Sequence, residues 1–136
     1  MSKIKTIKIG DYASDTKLIK DEDVKMFAHI TGDLNPIHLD DDFAKKSIFK
    51  QKIAHGAFVS AFFSNILGTK LPGEGTIYLQ QDSKFIRPVY INDTITLTVA
   101  VEEIFLEKSR VKLSTTATNQ NGEVVIQGHA LVKIPD

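Results

Sequence analysis

Hydrophobic and polar positions follow different periods along this chain, and each period predicts a different kind of element. Ile4, Ile7 and Ile9, with Lys and Thr between them, predict a short first strand ended by Gly10-Asp11. The segment DEDVKMFAHITGD, residues 21–33, predicts a helix: Asp21 caps it, acids fill its first turn, and Val24, Phe27 and Ile30 recur on one face. Gly32 closes it in the left-handed conformation that glycine adopts without strain. Asp33 then falls just past the helix end, in a turn. Asn35-Pro36 predicts extended backbone, because proline disfavours helical geometry in the residue before it. Asp40 opens a short helix through Phe43 and Ala44, where acids suit the helix dipole.

The stretch HGAFVSAFFSNILG, residues 55–68, is different in kind. Phe58, Val59, Phe62, Phe63, Ile66 and Leu67 make it apolar on nearly all sides, so it predicts a buried helix ended by Gly68. Gly56, Ser60 and Ser64 recur every four residues and form a small polar stripe along it. After Gly75 the period becomes two. Ile77-Leu79, Phe85, Ile95 to Val101, Val111-Leu113 and Val125 to Val132 predict strands, with Asn121-Gly122 as a hairpin turn. The expected fold is α+β: one domain over residues 1–136, an antiparallel sheet wrapped around one long buried helix. Such a sheet leaves edges uncovered, and a β-branched run like Ile95-Thr96-Leu97-Thr98-Val99 can pair with its own copy. A homodimer or a larger even-numbered assembly is therefore expected.

Composition narrows the function classes. The 136 residues carry 17 basic and 17 acidic side chains, so no net field favours nucleic acid or an anionic membrane as a partner. There is no cysteine, which excludes disulfides, thiolate metal sites and a cysteine nucleophile, and fits a cytoplasmic setting. The N-terminal residues alternate apolar and charged and do not read as a signal peptide. The longest apolar run, Ala57 to Leu67, is too short to cross a bilayer.

The candidate chemistry is concentrated in Gly32-Asp33-Leu34-Asn35-Pro36-Ile37-His38 and His55-Gly56. Asp33 alone reads as a turn-stabilising aspartate, and His38 alone as a hydrogen-bonded core histidine. Together across a constrained Asn-Pro turn they are an acid and a base by residue type. Gly56 opens the apolar helix, where free backbone N–H groups stabilise an oxygen gaining negative charge. Acid, base and oxyanion donor point to chemistry on a carbonyl compound. His55 either fixes its loop by hydrogen bonds or touches substrate. Asp33, His38 and His55 together are also a known metal-ligand set. His29 and His129 support no functional claim, and Ser64 has no triad spacing that would make it a nucleophile.

TGDLNPIHLD, AHGAFVSAFFSNILG and FIRPVYINDT resemble the MaoC-type hydratases and dehydratases of the hot-dog fold over nearly the whole chain. Within that family the resemblance is strongest to the short, single-domain R-specific enoyl-CoA hydratases. It implies a lyase of fatty-acid metabolism, or of polyhydroxyalkanoate precursor supply, that adds water to a trans-2-enoyl-CoA. The same chemistry in reverse on acyl-carrier-protein thioesters, or a non-catalytic acyl-CoA-binding module, are the alternatives. Residue by residue, the resemblance makes Asp33 and His38 the acid and base on a water. It makes Gly56 the backbone donor to the thioester carbonyl, and Ser64 a support for the acid. Asn35 is the motif's asparagine, a structural residue on the substrate side. His55 and Arg87, read from the residues themselves, complete the substrate-binding candidates: Arg87-Pro88 reads as a strand edge, from which Arg87 can meet a coenzyme phosphate. No cofactor and no metal are implied. Lys52 stands where many relatives have proline and Asn92 where many have glycine, a position whose positive-φ turn asparagine tolerates.

Overall fold

The computed structural model describes residues 2–135. A five-stranded antiparallel sheet, in the order β1-β3-β4-β5-β2, wraps one face of a long helix. The strands are β1 (Tyr12–Leu18), β2 (Ile77–Phe85), β3 (Thr94–Phe105), β4 (Arg110–Thr118) and β5 (Val124–Lys133). Alternation sets the inward faces: Ile95, Leu97, Val99 and Val101 of β3 are buried, as are Val111, Leu113 and Ala117 of β4 and Ala130 and Val132 of β5. The helix α4 (Gly56–Thr69) lays Val59, Phe63, Ile66 and Leu67 against them. Truncating Phe63 to alanine would cost about 3–5 kcal/mol, the range for a buried aromatic. Among the described residues no helix is long and apolar enough to cross a membrane.

Several sequence expectations change on contact with tertiary structure. Lys3–Thr6 forms a 3-10 turn in place of the expected first strand, because Ile4 and Ile7, three residues apart, both turn into the core while Ile9 points out. Sheet pairing starts later, with the bond from Gly10 N–H to the Val101 carbonyl, and β1 runs beside β3 from Tyr12 to Leu18. The helix α1 (Asp21–Thr31) does end at Gly32, whose φ is 78°. Its cap position is Lys20, however, and Ile30 is 75 % exposed; Val24 is buried and Phe27 packs on the core as expected, with Ala28 in place of Ile30 completing the buried face. Helix α4 continues one residue past Gly68. It is also not covered all round: Ala57, Ala61, Ser64 and Asn65 lie exposed on one side. The β4–β5 turn is wider than its Asn-Gly dipeptide implies, since the Asn119 side-chain oxygen gathers the N–H groups of Asn121 and Glu123. Asn92 does sit at positive φ, 75°.

Candidate active site

The segment between α1 and α4 folds as short turns, and the sequence explains each. Asn35 holds an extended conformation before Pro36, and its side-chain oxygen accepts from Ile37 N–H at 3.2 Å. That caps a single helical turn, α2 (Pro36–Leu39), with proline at a first-turn position where its missing N–H costs nothing. The helix was invisible in the pattern because one turn carries no periodicity. Asp40 then caps α3 (Asp41–Lys45), accepting from Asp42 and Phe43. Two consecutive caps turn His38 inward, where it is buried, while Asp33 stays half-exposed in the turn before it.

His38 Nδ1 lies 2.7 Å from the Ile53 carbonyl oxygen. A carbonyl only accepts, so Nδ1 carries the proton and Nε2 is left as the basic nitrogen. Burial pushes the His38 pKa below its ordinary value, and the adjacent His55 pushes the same way. The Ile53 bond and the Asp33 charge oppose both. At neutral pH this imidazole is an uncharged base with a fixed tautomer.

His55, 2 % exposed, donates from Nε2 to the backbone carbonyl of Asp33 at 3.1 Å and stacks on His38 with ring centroids 3.8 Å apart. Phe27 of α1 covers part of its ring, centroids 4.9 Å apart. His55 Nδ1 is buried without a partner. One donor atom from each of Asp33, His38 and His55 lies within 4.8 Å of the other two. A separation of that order is what one water bridging a carboxylate and an imidazole spans with two hydrogen bonds of about 2.8 Å. The same three residues fit a metal less well. His38 Nδ1 and His55 Nε2 are already committed to carbonyls, and a metal taking His55 Nε2 would break the bond that shapes the Asp33 turn.

An apolar cavity of about 450 Å³ adjoins His38 and the first turn of α4. Phe49, Ile53, Ala54, Phe85, Val89 and Ile126 form much of its wall. No side chain caps α4, so the N–H groups of its first turn, Gly56 included, have no partner inside the helix. A Cβ on Gly56 would sit 2.6 Å from the Phe85 ring, so only glycine keeps that approach open with Phe85 in place.

The structure thus brings together Asp33, His38 and Gly56, and places the other candidates differently. His55, stacked on His38, holds the Asp33 carbonyl and so braces the acid turn; neither His55 nor Asp33 is among the residues of the cavity wall. Asn35 likewise has its side-chain oxygen tied up as a cap. Ser64 is exposed two turns along α4. Arg87 does line the cavity mouth, half-exposed, with one guanidinium nitrogen on the Val124 carbonyl at 2.7 Å and its Nε 3.6 Å from Glu123. Sequence reasoning missed Ile53, which acts through a backbone carbonyl common to every residue type, and Phe85, whose importance lies in what it approaches.

A family model described as "MaoC like domain" matches residues 5–124. This chain belongs to the MaoC-like family. An (R)-specific enoyl-CoA hydratase of Rhodospirillum rubrum is 46% identical over 129 residues, covering 95% of this chain and 89% of that protein. The solved (R)-hydratase from Aeromonas caviae, described as involved in PHA biosynthesis, superposes with a TM-score of 0.94 at 36% identity, covering 96% of this chain and 99% of that one. An R-hydratase from Pseudomonas aeruginosa gives 0.92 at 38% identity, covering 98% of this MaoC-like chain and 85% of its own. The five-stranded sheet around α4 is accordingly a single-domain hot-dog fold.

Proposed function

We propose that this chain is a lyase that adds water to a trans-2-enoyl-CoA and yields the (R)-3-hydroxyacyl-CoA. The observation that carries the reading is the fixed tautomer of His38: a neutral base with its Nε2 lone pair free, its ring close to the Asp33 carboxylate, beside an apolar cavity that Gly56 helps to line. The three R-hydratases above support the substrate class and the stereochemistry.

In this mechanism the Asp33 carboxylate accepts a hydrogen bond from one water hydrogen, which stays on the oxygen and becomes the hydroxyl hydrogen, while His38 Nε2 removes the other as the water oxygen bonds to the β-carbon. Electron density moves onto the thioester oxygen, held by the Gly56 N–H at the positive end of α4. The enolate then takes a proton from the imidazolium at its α-carbon, which restores His38 and completes the addition of water. The reaction needs neither cofactor nor metal. Cysteine-free composition and a coenzyme A substrate favour a cytoplasmic setting, and Arg87 at the cavity mouth is suited to a coenzyme phosphate. A second copy of the chain is the expected partner: β2 is an edge strand with Ile77, Leu79 and Phe85 exposed, and α4 has an uncovered side. Light scattering should return an even multiple of the chain mass.

The deciding experiment is absorbance of crotonyl-CoA mixed with the protein. Loss of the enoyl band with formation of (R)-3-hydroxybutyryl-CoA is expected. Release of free thiol would mean hydrolysis, no change would mean a binding module, and turnover of only acyl-carrier-protein thioesters would reassign the carrier. Chelators should leave the rate unchanged; a loss restored by added metal would replace the water-bridge mechanism with a metal one.

A further inference from the structure

Lys52 is 11 % exposed at its side chain, on the segment that leads into α4, and its ammonium lies 2.9 Å from Asp21 Oδ1 and 3.8 Å from Asp41 Oδ1. Asp21 opens α1, whose other end delivers Asp33. Asp41 opens α3, immediately after the turn that carries His38. Lys52 itself precedes Ile53, whose carbonyl fixes the His38 tautomer, and His55, which holds the Asp33 carbonyl. One ammonium therefore sits where all three segments bearing the site converge, about 16 Å along α1 from the acid turn. Further bonds carry that position to the histidine: Ile53 N–H donates to the Ile37 carbonyl at 3.2 Å, and Ala54 N–H to the Val89 carbonyl at 2.7 Å. The ion pair also shifts both partners as a close, partly desolvated pair should. Its hydrogen bond pulls the Asp21 carboxyl down and raises the Lys52 ammonium.

We propose that Lys52, through Asp21 and Asp41, is a positioning residue that holds the Ile53 carbonyl on His38 and so keeps the base in its reactive tautomer. The inference rests on His38 being the base of the hydration reaction proposed above. The charge is what matters here: a methionine of similar length fills the space but binds neither carboxylate.

The test is Lys52→Met in the full-length protein, read by kcat, by KM and by the ¹⁵N shifts of His38, which distinguish its Nδ1–H form from its Nε2–H form. A fall in kcat of ~10- to 100-fold with KM changed by less than about threefold is expected, because a misplaced base of about 1 Å costs that much. The His38 signal should show loss of the single Nδ1–H form. Lys52→Arg should restore most of both, and Lys52→Met with Asp21→Asn should be no worse than Lys52→Met alone. Should Lys52→Met fail to fold, the isosteric Asp21→Asn tests the same bond and should shift the same signals. Wild-type kcat with an unchanged His38 signal overturns the proposal. If the wild-type protein hydrates no enoyl thioester, the hydratase reading falls, and the His38 signal alone still decides what Lys52 does.

Discussion

Two hollows of nearly equal size lie on opposite sides of the sheet, and only one is equipped for chemistry. The outer one, about 420 Å³, is bordered by Asp82, Glu103, Lys108, Arg110, Lys112 and His129. It holds more charge than the inner cavity, and several of its groups face one another: His129 lies 3.3 Å from Asp82 and 3.5 Å from Glu102, and Lys112 lies 3.8 Å from Glu103, although Arg110 Nε is buried there without a partner. The inner cavity has few polar groups: Arg87, which is bonded to Val124 and Glu123, a basic imidazole nitrogen, and the N–H groups of an uncapped helix. Volume and charge count do not mark a reactive site. An unpartnered base and unpartnered N–H donors beside one apolar cavity do.

The largest test of that contrast is to remove the unpartnered groups one at a time. His38→Ala and Asp33→Asn should each lower hydration by ~10² or more with the fold retained, and the double variant should be little worse than either, since the two act on one water. Activity within a few-fold of wild type in either variant would move the site elsewhere. Next in size is Gly56. Gly56→Pro deletes the N–H at a helix position open to proline but, like alanine, brings a Cβ against the Phe85 ring, so both variants are made with Phe85→Ala. In that background Gly56→Ala, which keeps the N–H, should recover most of its activity, while Gly56→Pro should still lose ~10²–10³ in kcat.

A third test uses pH. The His38 pKa is lowered by burial, so the base is free above the ordinary histidine value near 6.5 and kcat/KM should be flat there. Activity should fall on the acid side with a midpoint below 6.5. Because the Asp33 charge raises the His38 pKa, the residual activity of Asp33→Asn should titrate at lower pH still. A midpoint above that of an ordinary histidine would contradict the burial argument. The smallest effect belongs to the outer hollow: His129→Ala should change kcat/KM by less than about twofold, as exposed ion pairs carry little energy. A larger loss there would erase the distinction between the two faces.

The same contrast explains what was legible in the sequence. The meander β3–β5 and helix α4 could be read directly because burial imposes a period on apolar residues, and Ile95, Leu97, Val99, Val111 and Leu113 obey it. Strand β1 could not, since YASDTKL lies at the sheet edge and buries no large apolar side chain. Asp33, His38 and Gly56 were legible as residue types with special chemistry in a specific motif. What fixes them was not: the Ile53 carbonyl is backbone, and the ring of Phe85 meets Gly56 only after β2 has paired with β5. Lys52 showed only as a departure from proline, with nothing in the chain near it to indicate two carboxylates from distant helices.

His55 grips residue 33 through that residue's main-chain oxygen, and this separates the shape of the acid turn from the acid itself. Any amino acid at position 33 offers the same oxygen to the imidazole. A lineage descended from this chain could therefore lose the charge by a single Asp-to-Asn codon change, keep a side-chain oxygen for the Asn35 N–H, and retain the turn, the stacked histidines and the cavity. Its product would hold enoyl thioesters without transforming them. The distance between a catalyst and a carrier or sensor of the same ligand is, in this architecture, one side chain.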